Sequence, residues 1–196
     1  MCALAVAAVA FWPEPKEPEY NGKKLSEWLH DEPLFVPIQG RQRAWMKTQS
    51  AEAVRHIGTN ALPFLVKWIR YERPAWKDKA SVAYKKLPRA LVITSLDSWL
   101  TCGKAEMRAD AAMACFQFLG QDAAPTVPEL IGMLKVSKAP ATSQRAVFCL
   151  GCIGPKARAA LPYLRERTKG FPSGISLDAT MAIHNIEPRD MGPRAF

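Results

Sequence analysis

The chain has 196 residues, of which 48% are hydrophobic, and it carries a formal net charge of +9 at neutral pH. This length and apolar content are sufficient for one domain with a buried core. The five cysteines are an odd number, which argues against a small fold held together by disulfide bonds.

An apolar run from Met1 to Trp12 comes first. It is shorter than the ~20 apolar residues that span a bilayer, but it has the length of a signal-peptide apolar region. Residues 8–10, Ala-Val-Ala, have the small-x-small form of a cleavage site, although no basic residues precede the run. We therefore expect residues 1–12 to be a signal-like segment or an anchor remnant, and the protein to be exported or membrane-anchored. The alternative is a cytoplasmic protein with an apolar tail.

A proline-rich, charged segment, residues 13–19, follows this run. Such a composition cannot pack into a core, and it predicts an extended spacer. We expect the folded part to begin at Tyr20. At their spacing, Leu25, Trp28 and Leu29 lie on one face of a helix. They predict a short cap helix that covers the first of the repeated units described next.

A repeated pattern occupies the rest of the chain: apolar residues at helical spacing, a residue that ends the helix, and a second apolar helix. Aligning the residue that follows each first helix gives positions 58, 88, 120, 154 and 187, with spacings of 30, 32, 34 and 33. Gly occupies positions 58, 120 and 154, and Pro occupies position 88. Gly ends a helix by adopting a left-handed backbone conformation, and Pro does so by lacking an N–H donor. This regularity predicts stacked units of ~30 to 35 residues.

Each predicted helix has one apolar stripe at positions i, i+3, i+4 and i+7, which a neighbouring helix must cover. In the first helices the stripes are Ser50, Ala53, Val54 and Ile57, then Ala80, Ala83, Tyr84 and Leu87, and finally Ala179, Ala182, Ile183 and Ile186. In the second helices they are Leu62, Leu65, Val66 and Ile69, then Val127, Leu130, Ile131 and Leu134, with Leu161 and Leu164 in the last. Pro63, Pro128 and Pro162 fall in the first turn of the second helices, where a missing N–H donor costs no hydrogen bond.

Units of two antiparallel helices, each too thin to hold a core alone, predict a stacked solenoid. Over about residues 45–188 the pattern resembles the HEAT-repeat family, in particular short bacterial HEAT-like repeats of the form Ala-x-x-Ala-Leu-x-x-Ile-Gly-x-x-Ala-x-x-x-x-Pro-x-Leu. The match is clearest at Gly58, Gly120 and Gly154. The resemblance implies an all-α fold: an α-solenoid of stacked antiparallel helix pairs that forms a right-handed superhelix. We expect residues 20–188 to comprise the cap helix, about four repeats and a terminal half, followed by an irregular tail at residues 189–196.

The Cys149-x-x-Cys152 pair has the spacing of a redox or metal half-site, but no second pair accompanies it. Within the repeat, Cys149 takes a stripe position that small residues occupy in other units. We therefore predict a buried structural thiol there, with Cys152 beside the stripe. The three histidines are scattered, and no phosphate-binding, dinucleotide-binding or catalytic serine motif occurs. We expect no enzyme activity, no metal and no cofactor.

A basic stretch from Lys67 to Arg89 contains eight basic and two acidic residues, which gives a charge of +6. Trp68, Tyr71 and Trp76 are interleaved with them. Cations mixed with aromatic rings fit a nucleic-acid groove, in which cations contact phosphates and rings stack on bases. The alternative is that these cations solvate the surface and interact favourably with the C-terminal ends of the second helices.

Taken together, these patterns favour a non-catalytic scaffold that binds a protein partner across the surface built by the second helices. The alternative is binding of nucleic acid or another polyanion through residues 67–89. Nothing indicates a small-molecule substrate, and we expect membrane contact only through residues 1–12. The residues predicted on the partner-binding surface are Lys67, Arg70, Trp76, Lys77, Lys85, Lys86, Glu129, Tyr163 and Arg167.

Overall fold

The computed structural model describes residues 16–31, 49–86, 103–136, 140–169 and 173–188. In these ranges the chain is mostly helical, which confirms the prediction of an all-α protein, and it adds one small β-hairpin. None of the described helices is long and apolar enough to cross a membrane. The signal-like segment at residues 1–12, the stripe residue Leu87 with Pro88, and the tail at residues 189–196 lie outside the described residues.

The described elements follow one another in a simple order. The antiparallel hairpin consists of β1 (Glu19–Tyr20) and β2 (Lys23–Lys24). The helices are α1 (Leu25–Asp31), α2 (Gln49–Ile57), α3 (Leu62–Ile69), α4 (Ala75–Tyr84), α5 (Lys104–Leu119), α6 (Val127–Val136), α7 (Pro140–Ile153), α8 (Leu161–Arg167) and α9 (Ser173–Ile186). Three 3-10 segments, Gly58–Ala61, Gly120–Thr126 and Gly154–Ala160, join α2 to α3, α5 to α6 and α7 to α8.

Glycine ends the first helix of three of these helix pairs. Gly58, Gly120 and Gly154 have φ angles of 59°, 50° and 68°. Residues with a side chain rarely adopt this left-handed conformation, so glycine allows the chain to turn toward the next helix. Proline then occupies the second position of α3, α6 and α8, where it costs no helical hydrogen bond. Both features agree with the prediction from the repeat.

The predicted apolar stripes form the core. The buried members are Ser50, Ala53, Val54 and Ile57 in α2, Leu62, Leu65, Val66 and Ile69 in α3, Val127, Leu130 and Leu134 in α6, Leu161 and Leu164 in α8, and Ala179, Ala182 and Ile186 in α9. Ile131 and Ile183 are half-buried. Burying one Leu, Ile or Val side chain contributes about 1.5–3 kcal/mol relative to leaving it exposed. These stripes are therefore the main source of stability in the described part of the chain.

The helices pack in a repeating order. The first helices α2, α5, α7 and α9 contact one another in series, and α3, α6 and α8 each pack against the first helix of the next pair, α5, α7 and α9. A close approach lies between α7 and α9, where a Cβ built on Gly151 would stand 3.1 Å from both the Cα and the Cβ of Ala182. The absence of a side chain at Gly151 therefore allows these two helices to come together.

The structure differs from the expected order at α4. Of the predicted stripe, Tyr84 is buried but Ala83 is exposed, and the buried face of α4 also contains Lys77 and Ser81. No other described helix packs extensively against α4, whereas α3 packs directly against α5. The helix pair that contains Gly58 therefore adjoins the pair that contains Gly120. The physical reason is the smaller apolar face of α4: among the described residues it buries one hydrophobic side chain, Tyr84, whereas α2, α5, α7 and α9 each bury at least four.

The hairpin was not predicted, although its turn has a recognisable sequence. Asn21 and Gly22 form the two-residue turn with φ angles of 49° and 75°, the geometry that Asn-Gly favours in hairpins. The stripe of Leu25, Trp28 and Leu29 in α1 is buried, as predicted. Helix α1 packs against both α2 and α5, so it covers two successive helix pairs at one end of the described fold.

Glu17, which lies in the predicted spacer at residues 13–19, contacts α1. Its carboxylate accepts hydrogen bonds from the backbone N–H and the hydroxyl of Ser26, in the first turn of that helix. The backbone N–H of Leu25 donates to the Pro18 carbonyl at 3.0 Å. A carboxylate at this end of a helix satisfies an N–H group that lacks a helical partner and interacts favourably with the helix dipole. The folded part therefore begins before Tyr20.

Candidate binding cleft

A cleft of about 540 Å³ lies beside α3 and the N-terminal half of α5. Helix α3 and the residues just after it contribute Phe64, Lys67, Trp68, Arg70 and Tyr71, helix α5 contributes Ala105 and Arg108, and the segment before the hairpin contributes Glu17. This volume falls within the range of ~300 to 1,000 Å³ that is typical of ligand sites. The cleft is therefore large enough to receive part of a binding partner.

The two faces of α3 explain why these side chains meet. Leu62, Leu65, Val66 and Ile69 form the buried stripe of this helix. Phe64, Lys67, Trp68 and Tyr71 have the same i, i+3, i+4 and i+7 spacing on a second stripe. Because the first stripe packs into the core, the second one is left to line the cleft.

The aromatic residues of the cleft are ordered by neighbouring side chains. The ring centroids of Phe64 and Trp68 are 6.3 Å apart, with the rings tilted by 53°. The Arg108 guanidinium carbon lies 5.4 Å from the Trp68 ring centroid, a distance at which the cation is attracted to the ring face. Arg108 thus connects α5 to α3 across the cleft.

The cleft has an excess of positive charge. Lys67, Arg70 and Arg108 line it together with one carboxylate, Glu17, and that carboxylate already accepts two hydrogen bonds from Ser26. Arg108 has no carboxylate partner in the part of the chain that the structure describes. We infer that the cleft favours anionic groups on a ligand.

A second, shallower groove of about 250 Å³ adjoins the cleft. It is lined by Thr59, Leu62, Pro63, Val66, Pro125, Thr126 and Glu129. A salt bridge of 2.8 Å between Arg70 and Glu129 stands between the two concavities, and the two side chains are 56% and 57% exposed. Exposed ion pairs of this kind contribute only about 0–1 kcal/mol, so the pair can exchange partners at little cost.

Partly buried ion pairs hold the chain that follows α3. The Arg145 side chain of α7 pairs with Asp110 of α5 at 2.9 Å and donates to the Tyr71 carbonyl at 2.9 Å. Arg73 pairs with Glu106 at 2.9 Å and with Asp78 at 2.6 Å. The hydrogen bond that Arg73 donates to the Glu106 carboxylate, opposed in part by burial, raises the pKa of the Arg73 guanidinium, so this group stays charged. These contacts fix the end of α3 against α5 and α7.

The predicted surface residues fall into three groups. Lys67, Arg70 and Glu129 line the cleft or the groove. Tyr163 and Arg167 are half-buried at the α6–α8 contact, where the Lys135 ammonium lies 4.6 Å from the Tyr163 ring centroid and Arg167 donates to the Leu134 carbonyl. On and after α4, Trp76 is 54% exposed and Lys85 and Lys86 are exposed. Lys77 is only 9% exposed, which corrects its placement on an open surface.

The sequence analysis missed four of the residues that line the cleft. Phe64 precedes Trp68 by one helical turn, so its position on the same face was readable from the spacing. Glu17 was assigned to the spacer. Ala105 and Arg108 carried no local signal, because their place in the cleft depends on the direct packing of α3 against α5.

Of the three cysteines that the structure describes, Cys115 and Cys149 are buried in the core, and Cys152 is half-buried against it. Burial raises the pKa of the Cys115 thiol far above its usual range, and it does the same for Cys149 with a further contribution from the neighbouring Cys152 and Cys115. Burial raises the pKa of Cys152 to about 12. Thiols with such pKa values are protonated at neutral pH and are poor nucleophiles and metal ligands. The burial of Cys149 agrees with its predicted stripe position.

In the described ranges, no group of three or more His, Cys, Asp or Glu side chains is arranged to hold a metal ion. Comparisons of this chain with protein-family models, with curated proteins and with solved structures found no match. The cleft and the groove beside it are therefore the features on which a functional hypothesis rests.

Proposed function

We propose that the chain is a non-catalytic, HEAT-like scaffold that binds a protein partner through the surface of its second helices. In this proposal α2–α3, α5–α6 and α7–α8 are antiparallel pairs of a right-handed α-solenoid, and α9 is a terminal half. The serial contacts of α2, α5, α7 and α9, and the packing of each second helix against the next pair, support this arrangement.

The observation that carries the proposal is the pair of adjoining concavities beside α3. One is cationic and aromatic, and the other is lined mostly by apolar groups such as Leu62, Pro63 and Pro125. A salt bridge of exposed, unlike charges, Arg70 and Glu129, stands between them. Protein interfaces typically combine an apolar centre, enriched in aromatic side chains and Arg, with a polar rim, and this surface has that composition.

A polyanion is the second candidate, because Lys67, Arg70 and Arg108 meet three aromatic rings in one cleft. Binding of a long phosphate chain also requires cations at intervals beyond the cleft. On the second helices two of those cations are already engaged: Lys135 lies over Tyr163, and Arg167 donates to the Leu134 carbonyl. This distribution of charge favours a protein partner.

The proposal can be tested by placing a photo-crosslinking amino acid at Ala105 in the cleft and, separately, at Thr59 in the groove. Both positions are exposed and lie on the proposed surface. We expect irradiation in cells to give a discrete crosslinked protein at both positions, resistant to nuclease. Identification of the same protein from Ala105 and Thr59 would support one continuous interface.

The matched control is Ala141, an exposed alanine that lines a separate groove beside Asp110, Gln144 and Asp178. It should give no crosslink to that protein. Equal labelling at Ala141, or products that nuclease removes, would contradict the proposal of a protein partner on the second-helix surface.

A further inference from the structure

We propose that the cleft between α3 and α5 binds a short acidic peptide segment in which carboxylates flank one bulky apolar or aromatic side chain. This inference rests on the proposed function, and it names the chemistry of the partner at that surface. The occupant is a linear segment of the partner, because a cleft of about 540 Å³ receives a few side chains and not a folded domain.

The aromatic wall supplies the apolar half of the site. Phe64 and Trp68 are half-buried and pack against the core on one side, so their positions are set before a ligand arrives. Ala105 of α5 also lines the cleft and has only a methyl group, so it takes up little of the volume beside these rings. A large apolar side chain placed there would lose contact with water without requiring the helices to move.

Arg108 supplies the anchor for a carboxylate. Its guanidinium lies over Trp68, and stacking on a ring restricts the side chain while its in-plane N–H groups remain able to donate to a carboxylate. An arginine held in this way loses less conformational freedom on binding than a mobile one. Among the described residues no carboxylate pairs with Arg108, so this anchor is unused within that part of the chain.

Two further cations lie on the rim of the same cleft. Lys67 and Arg70 are one turn apart on α3 and both are exposed. The carboxylate that Arg70 contacts, Glu129, is exposed as well, so a carboxylate of the ligand can take its place. All three cations line a single cavity, which suits two or three clustered carboxylates better than a long run of phosphates.

The test uses fluorescence anisotropy with the full chain at near-physiological salt. The probe is a fluorescein-labelled peptide, Asp-Glu-Glu-Trp-Glu-Asp. The comparison probes are the same peptide with Ala in place of Trp, a peptide with Lys in place of every acid, and a labelled six-residue oligothymidine. We expect saturable binding of the first probe, weaker binding without Trp, and none for the basic peptide.

The decisive variant is Arg108→Glu, which changes an exposed side chain and should leave the protein folded, with at most a small decrease in melting temperature from the lost contact with Trp68. We expect it to weaken binding of the acidic probe about tenfold, equivalent to about 1.4 kcal/mol. The matched control is Arg158→Glu, an equal change of charge at an exposed arginine in the Gly154–Ala160 segment, which does not line the cleft. It should leave the affinity within about twofold of the wild type.

Three outcomes would overturn the inference: no saturable binding of the acidic probe, equal weakening by Arg108→Glu and Arg158→Glu, or tighter binding of oligothymidine than of the peptide. The last of these would assign the cleft to nucleic acid. Crosslinking from Ala105 and Thr59 distinguishes failure of the acidic-peptide site from failure of the proposed protein-binding function. A protein crosslink without peptide binding contradicts the acidic-peptide site alone, and the absence of both contradicts the protein-binding function as well.

Discussion

Replacing Gly151 by alanine tests the close contact between α7 and α9. In an ordinary helix interior, Gly→Ala stabilises a protein by about 0.5–1 kcal/mol through backbone entropy and helix propensity. At Gly151 the new methyl group would stand 3.1 Å from two atoms of Ala182, one of them a backbone Cα. Overpacking of this kind costs typically about 1–3 kcal/mol. The two effects oppose each other, and we expect a net destabilisation of about 0–2 kcal/mol.

Gly132 of α6 is the matched control, because it is also helical and a Cβ built there meets nothing within 4 Å. Gly132→Ala should therefore stabilise by up to about 1 kcal/mol, which corresponds to a rise in melting temperature of roughly 2–4 °C for a protein of this size. The assay is thermal and urea unfolding followed by circular dichroism. An increase in stability for Gly151→Ala equal to that for Gly132→Ala would refute the close packing of α7 against α9.

Two further predictions concern Glu17 and the buried thiols. Glu17→Ala should lower the free energy of unfolding by about 1 kcal/mol, because it removes the carboxylate that binds the first turn of α1. The exposed Glu19 is the matched control, and a melt of Glu17→Ala identical to that of Glu19→Ala would show that Glu17 does not stabilise α1. Burial raises the pKa of Cys152 from 9.0 to about 12, so above about pH 9 the unfolded state releases this proton while the folded state keeps it. The free energy of unfolding should therefore fall as the pH rises from about 9 to 12. Urea unfolding should show a smaller fall for Cys152→Ala than for the wild type. Parallel profiles of this free energy against pH for the two proteins would contradict the burial of this thiol.

The candidate site was predictable from sequence only along α3. Lys67 and Arg70 were named because they lie in a basic stretch that also contains Trp68 and Tyr71. These four residues are close in sequence, and a helix brings such residues to one side by its period alone. The prediction that the partner-binding surface would continue onto α4 depended on the order of the predicted repeat units. The burial of Lys77 shows that the basic stretch does not present all its cations to solvent.

Periodicity also led to an error in the order of the units. The spacings of 30 and 32 residues around Pro88 are close to the other predicted spacings of 34 and 33, so the α4 region was aligned as a stacked unit between Gly58 and Gly120. Spacing records only the distance along the chain. Whether a segment enters the stack depends on whether its buried face is apolar enough to compete for neighbours, and α3 instead packs directly against α5.

The sequence by itself determined the helices, their apolar stripes and the glycines that end them, because each depends on residues within a few positions of one another. Gly58, Gly120 and Gly154 each required only their own backbone freedom. Tertiary structure decided which helices became neighbours, and with them the cleft. Arg108 lies over Trp68, 40 residues earlier in the chain, because α3 and α5 bury their stripes against each other. Which helices pack together over such sequence distances depends on competition among all the apolar faces. No local sequence pattern contains that information.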